Sequence, residues 1–81
     1  MPEISRFYGI IIRMFYNDHN PPHFHVIYQN FEATLSIESL EVLEGELPKR
    51  AYNLSVEWAL ENRQELMENW LKARDRETLV K

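Results

Sequence analysis

Apolar and polar positions alternate with the period of a pleated strand through the first half of the chain. In the second half they recur with the period of a helix. Ile4 to Tyr16 is rich in β-branched and aromatic residues, which suit a half-buried sheet, and predicts a first strand. Its apolar residues fall on both faces, Ile10, Ile12 and Met14 on one and Phe7, Ile11 and Phe15 on the other, where Arg13 also lies. Asn17-Asp18-His19-Asn20-Pro21-Pro22 then breaks the run with turn formers and two prolines that cannot donate ladder hydrogen bonds. A second strand is predicted over His23–Tyr28. A third follows over Phe31–Glu38, where Phe31, Ala33, Leu35 and Ile37 alternate with Glu32, Thr34, Ser36 and Glu38. Leu40–Leu43 adds a short edge strand before Gly45.

Gln29-Asn30 has the length of a two-residue hairpin turn, with Asn to supply the positive φ such turns need. That turn sets a register in which Tyr28 faces Phe31, Val26 faces Ala33 and Phe24 faces Leu35. Opposed residues share a sheet face, so these six form one apolar face. The other face then carries His23 opposite Ser36, His25 opposite Thr34 and Ile27 opposite Glu32, and both histidines leave the main core together. A slip of one residue would reverse the assignment.

Beyond Gly45, Pro48 suits the first position of a helix. Ala51, Leu54, Ser55 and Trp58 make one helical stripe, and Leu66, Met67, Trp70 and Leu71 another. Asn62 with Glu65 resembles a capped helix start, which predicts two helices broken near Asn62 or one long kinked helix. The expected fold is therefore α+β. A three- to four-stranded antiparallel sheet (strands about 4–44) is followed by one or two C-terminal helices (about 48–76) packed on one face, in a single domain over 1–81.

Composition narrows the function classes. Eighty-one residues without cysteine must be stabilised by an apolar core alone, with neither disulfide nor thiolate metal site. No charged segment followed by an apolar stretch opens the chain, and Ile10-Ile11-Ile12 is far short of the roughly 20 residues a spanning helix needs. A cytoplasmic protein without a membrane partner is expected. The formal net charge of -4 lacks the basic footprint of a chain whose primary partner is nucleic acid. Lys49-Arg50 and Lys72-Arg74-Arg76 read as solvated helix surface.

The distinctive chemistry lies in Asp18-His19-Asn20-Pro21-Pro22-His23-Phe24-His25. His23 and His25, two apart on a strand, stand roughly 7 Å from each other at ~3.4 Å per residue and point the same way. Two imidazoles so placed suit one divalent metal ion, with Asp18 as a further ligand, or an acid and a base acting on one substrate. Asp18, His19 and Asn20 are candidate binding residues in a proline-stiffened loop. Arg13, if it shares the histidine face, would hold a phosphate or carboxylate beside the imidazoles. A purely structural role is also open: His-x-His as strand surface bonded to Ser36 and Thr34, with Asp18 and Asn20 making turn hydrogen bonds. Structural zinc needs four ligands and catalytic zinc three, so the pair alone does not make a metal site.

Ile4-Ser5-Arg6-Phe7-Tyr8-Gly9 leading into an apolar strand, followed by Asn17-Asp18-His19-Asn20-Pro21-Pro22-His23-Phe24-His25-Val26, resembles the small bacterial family known as domain of unknown function 4160. Leu43-Glu44-Gly45-Glu46-Leu47-Pro48-Lys49-Arg50-Ala51 and the segment from Glu65-Leu66 to Asn69-Trp70 resemble it too. The resemblance implies a partner: members are often encoded beside another small protein of unknown function, and some of these pairs are suspected toxin–antitoxin modules. It gives Asp18, His19, Pro21, Pro22, His23 and His25 the family's signature, with no established catalytic role.

The leading expectation is a small interaction protein of a two-gene module, toxin–antitoxin-like, acting as a homodimer or in a complex with the co-encoded protein. The first strand has apolar residues on both faces, and a two-layer domain covers only one. The rival expectation is a metal- or histidine-dependent phosphodiesterase or ribonuclease, with His23 and His25 as acid–base or metal residues and Arg13 as phosphate clamp. A helix-turn-helix regulator fits poorly, because the helical turn lacks Gly and the second helix is acidic at Glu65 and Glu68.

Overall fold

The structure, a computed structural model, describes residues 3–15 and 21–74. It is α+β: five antiparallel strands in sequential order, then two helices. The strands are β1 (Glu3–Phe7), β2 (Ile10–Arg13), β3 (His23–Tyr28), β4 (Phe31–Ser36) and β5 (Val42–Gly45). The helices are α1 (Lys49–Glu61) and α2 (Arg63–Arg74). Among the described residues no helix is long and apolar enough to cross a membrane.

The sheet has more strands than expected because the run from Ile4 is folded back on itself. Tyr8 and Gly9, with φ of 49° and 79°, turn the chain so that Phe7 pairs with Ile10. Positive φ at both central residues is what a type I′ hairpin turn requires. The turn also corrects the face assignment of Phe7, which now lies with Ile10 and Ile12 and not with Ile11. The last strand is β5 over Val42–Gly45, later than Leu40–Leu43. Leu40 instead belongs to a turn in which its N–H donates to Ser36 O (2.9 Å), while Ser36 N–H donates to Glu41 O (3.0 Å).

The β3–β4 register is the one the short turn dictates: Phe24 opposite Leu35, Val26 opposite Ala33 and Tyr28 opposite Phe31. The positive φ falls on Gln29 (53°). β2 extends this face with Ile10 opposite Tyr28 and Ile12 opposite Val26. Ile10, Ile12, Met14, Phe24, Val26 and Leu35 are fully buried there. Each such side chain contributes about 1.5–3 kcal/mol by leaving water.

α1 lies on this face through Ala51, Ser55 and Ala59, all buried. The Trp58 ring stacks on Phe7 (centroids 5.8 Å apart) and meets Phe24 edge-on (6.2 Å). Pro48 stands one position before the helix, with its carbonyl accepting the Tyr52 N–H (3.0 Å). The helices are two, but barely separated. Asn62 N–H donates to Trp58 O and Ala59 O, and Asn62 O accepts from Leu66 N–H. The Asn62 side chain also serves the preceding helix, donating from Nδ2 to Trp58 O (2.8 Å) where an N-cap would accept from the following one. In α2 the buried residues are Leu66, Asn69, Trp70 and Ala73, while Leu71 is exposed. The rotation that brings Asn69 inward carries Leu71 out.

Candidate functional site

Strand parity builds the site. The face opposite α1 carries Ile11, Arg13, His23, His25, Ile27, Glu32, Thr34 and Ser36, of which Glu32 is exposed, Ser36 buried and the others half-buried. Adjacent strands align Glu3, Arg13, His25, Thr34 and Glu44 as successive partners in one polar row across all five strands. The condition set on Arg13 is therefore met, since it shares the histidine face directly beside His25.

The two histidine rings are 5.3 Å apart between centroids, at nearly right angles. His23 Nδ1 donates to Pro21 O (2.8 Å). A carbonyl can only accept, so this nitrogen carries the proton, and in the neutral ring the lone pair resides on Nε2. The proline loop thus sets the His23 tautomer. His25 Nδ1 is 3.4 Å from Thr34 Oγ1, and either atom can be the donor. Phe15 packs edge-on against His25 (4.2 Å).

His23 departs from expectation. It stands on the open face, yet its ring comes within 5.0 Å of the Trp70 ring. Trp70 is almost fully buried, so α2 reaches the start of β3 and one flank of His23 abuts the core. The spacing of Trp70 along α2 shows which stripe it occupies but not which end of the sheet that stripe meets, so the sequence does not disclose this contact.

Glu3, opposite Arg13 in the register, turns its carboxylate to Arg6, with Nη2 to Oε1 at 2.8 Å and Nε to Oε2 at 3.3 Å. That hydrogen bond, and then the carboxylate charge, raises the Arg6 guanidinium above its ordinary value. Arg13 makes no hydrogen bond or ion pair among the described residues. Arg13 is half-buried and pairs in register with His25 on one side and Glu3 on the other.

Asp18, His19 and Asn20 lie outside the described residues. Among those described, no group of three or more His, Cys, Asp or Glu side chains is placed to hold a metal. A concave space of about 630 Å³ lies between β1 and α1, walled by Phe7, Tyr8, Leu54, Glu57, Trp58 and Leu60. It contains neither histidine nor Arg13.

No curated protein and no solved structure matches the chain. The model of the family described as domain of unknown function DUF4160 matches residues 9–71, which include β2, β3, Arg13 and both site histidines, and the chain belongs to that family.

Proposed function

We propose that the protein is a small cytoplasmic interaction module whose open sheet face docks a partner chain. The partner is either a second copy or the small co-encoded protein that toxin–antitoxin-like pairing implies. The observation that carries this reading is that face itself. Ile11, Phe15 and Ile27 stand half-buried on it, beside Arg13, His23 and His25, and among the described residues α1 lies on the other face. On this face the Arg13–His25–Thr34 row runs between the Ile11–Ile27 pair and Phe15, a mixture of apolar and polar groups of the kind found in non-obligate interfaces. Covering it removes the apolar side chains from water at about 25 cal/mol per Å².

The test is light scattering on the purified chain, alone and co-expressed with the product of the neighbouring gene. A homodimer or a stoichiometric complex is expected, and Ile27→Asp should dissociate it while leaving the fold intact, because Ile27 is not part of the α1-covered core. A monomer in both preparations would sink the proposal.

A further inference from the structure

The concave space between β1 and α1 lies on the helix side of the sheet, away from the face that carries Arg13 and the histidines. β1 ends the strand order and pairs only with β2 among the described residues. Phe7 and Ile10 close a two-residue hairpin and exchange their backbone bonds, so the ladder turns the Arg6 N–H and C=O away from β2, toward the sheet edge. Beside that edge, Ser5 to Tyr8 form one wall and α1 from Leu54 to Glu61 the other, around about 630 Å³. Each wall runs about 10 Å, at ~3.3 Å per strand residue and ~1.5 Å per helix residue. The stacked Phe7 and Trp58 rings both line the groove. Tyr8 and Leu60 line it too, and at 78% and 58% they are the most exposed large apolar side chains among the described residues. Its charged residues are Glu57 and Glu61, both exposed, and no Lys or Arg joins them. The Glu3–Arg6 ion pair does not reach it, because Arg6 stands opposite Ile11 on the other face.

From this arrangement we infer that the groove binds an extended, basic segment of a partner protein, which adds to β1 as a further strand. A sheet edge presents backbone donors and acceptors in a row that an extended chain can meet in series, and a helix beside the edge sorts the side chains that face it. In an added strand the residues facing α1 recur at every second position, roughly 6.6 Å apart. Glu57 and Glu61 are one helical turn apart, with their Cβ atoms at a matching ~6 Å. Arg or Lys at positions i and i+2 of the segment would each meet one carboxylate, with the aliphatic stems laid over Leu54, Trp58 and Leu60. Exposed ion pairs are individually weak, so the ladder supplies most of the affinity and the two carboxylates supply the selection for a basic sequence. A second copy of this chain is as acidic as the first, at a formal net charge of -4, and lacks the charge the groove calls for. The inference stands apart from the docking proposal, because the two surfaces are on opposite faces of the sheet.

The experiment is an NMR titration of the purified full chain in its native assembly. The probe is a blocked seven-residue peptide of alternating arginine and threonine. The controls are the same peptide with glutamate for arginine, and the same peptide methylated at every backbone nitrogen. The arginine peptide should give saturable shifts of the Arg6 backbone N–H and the Trp58 indole N–H. The glutamate and N-methylated peptides should bind at least about tenfold more weakly. A Glu57→Gln, Glu61→Gln double variant changes only exposed groups, so it should keep its fold and bind the arginine peptide about fivefold more weakly or worse. Ile27→Asp, the variant aimed at the other face, should bind the peptide as the wild type does, so failure of the docking proposal and failure of this one are read separately. Absence of saturable shifts, equal binding of either control peptide, or undiminished affinity in the folded double variant would each overturn the assignment. Pairing of two copies through β1, or tighter peptide binding after removal of residues 75–81, would give the groove to a second copy or to the chain's own end and overturn the choice of partner.

Discussion

Gly9 and Gly45 provide a matched pair of perturbations, because both have a φ of +79°. An alanine at either position must adopt the left-handed conformation, which costs roughly 1–2 kcal/mol. The unfolded-state gain from Gly→Ala is common to both and cancels in the comparison. Their surroundings differ. A Cβ on Gly9 would meet only Tyr28 Cε1, at an ordinary 3.7 Å. A Cβ on Gly45 would collide with the Glu32 carbonyl oxygen and come to 3.0 Å from Ala33 Cα, both backbone atoms of β4. Relief requires β5 to move away. That movement would give up the bond from Glu46 N–H to the same Glu32 oxygen (3.2 Å), worth about 0.5–1.5 kcal/mol. Gly9→Ala is therefore expected to cost about 1–2 kcal/mol and Gly45→Ala about 1.5–3.5 kcal/mol. In urea, at roughly 1 kcal/mol per molar for a chain of this size, the two midpoints should differ by about 0.5–1.5 M with unchanged slope. Coincident midpoints would refute the claim that close approach of β4, and not φ alone, requires glycine at position 45.

Two further outcomes test the turn between β4 and β5, which a hydrogen bond from Tyr52 ties to α1. Leu40 is a buried leucine at φ 61°, so Leu40→Gly relieves about 1–2 kcal/mol of backbone strain but removes a side chain whose truncation costs about 2–5 kcal/mol. A net loss of stability is expected in urea titration, and a gain would show that strain dominates. Tyr52→Phe deletes the hydroxyl that donates to Leu40 O at 2.8 Å and should cost about 1 kcal/mol by the same measurement, whereas no change would mean that water replaces the bond fully.

The legible part of the fold was the part governed by alternation and turn length. Two residues between Tyr28 and Phe31, flanked by alternating segments, sufficed to place Phe24, Val26 and Leu35 inward and both histidines outward. The Tyr8-Gly9 turn is hidden in the sequence, because Ile4 to Tyr16 satisfies strand propensity throughout and a single glycine in an apolar run also suits a bulge. Leu40 misled for the opposite reason. An aliphatic residue is a poor occupant of the left-handed region, so Leu40–Leu43 reads as strand although the bond from its own N–H to Ser36 O holds Leu40 in a turn. Asn62 followed by Glu65 has the composition of a cap, but the side-chain amide can serve either helix, and composition does not say which.

Arg13 shows how the site depends on parity accumulated over several connections. Its own face relative to His25 is not set by the Gln29-Asn30 turn, which relates only β3 to β4. It is set by the β2–β3 pairing, in which Ile10 meets Tyr28 and Ile12 meets Val26. Burial fixes that pairing: any odd shift would turn Ile10 and Ile12, both fully buried, onto the open face and bring Ile11 and Arg13 beneath α1. Losing two buried isoleucines and burying a guanidinium would cost more than the domain's whole margin, about 5 kcal/mol for a chain of this length. The core on one side of the sheet thus places Arg13 next to His25 on the other. Replacing Arg13 leaves that placement of His25 intact, so its role can be tested without disturbing the register that created it.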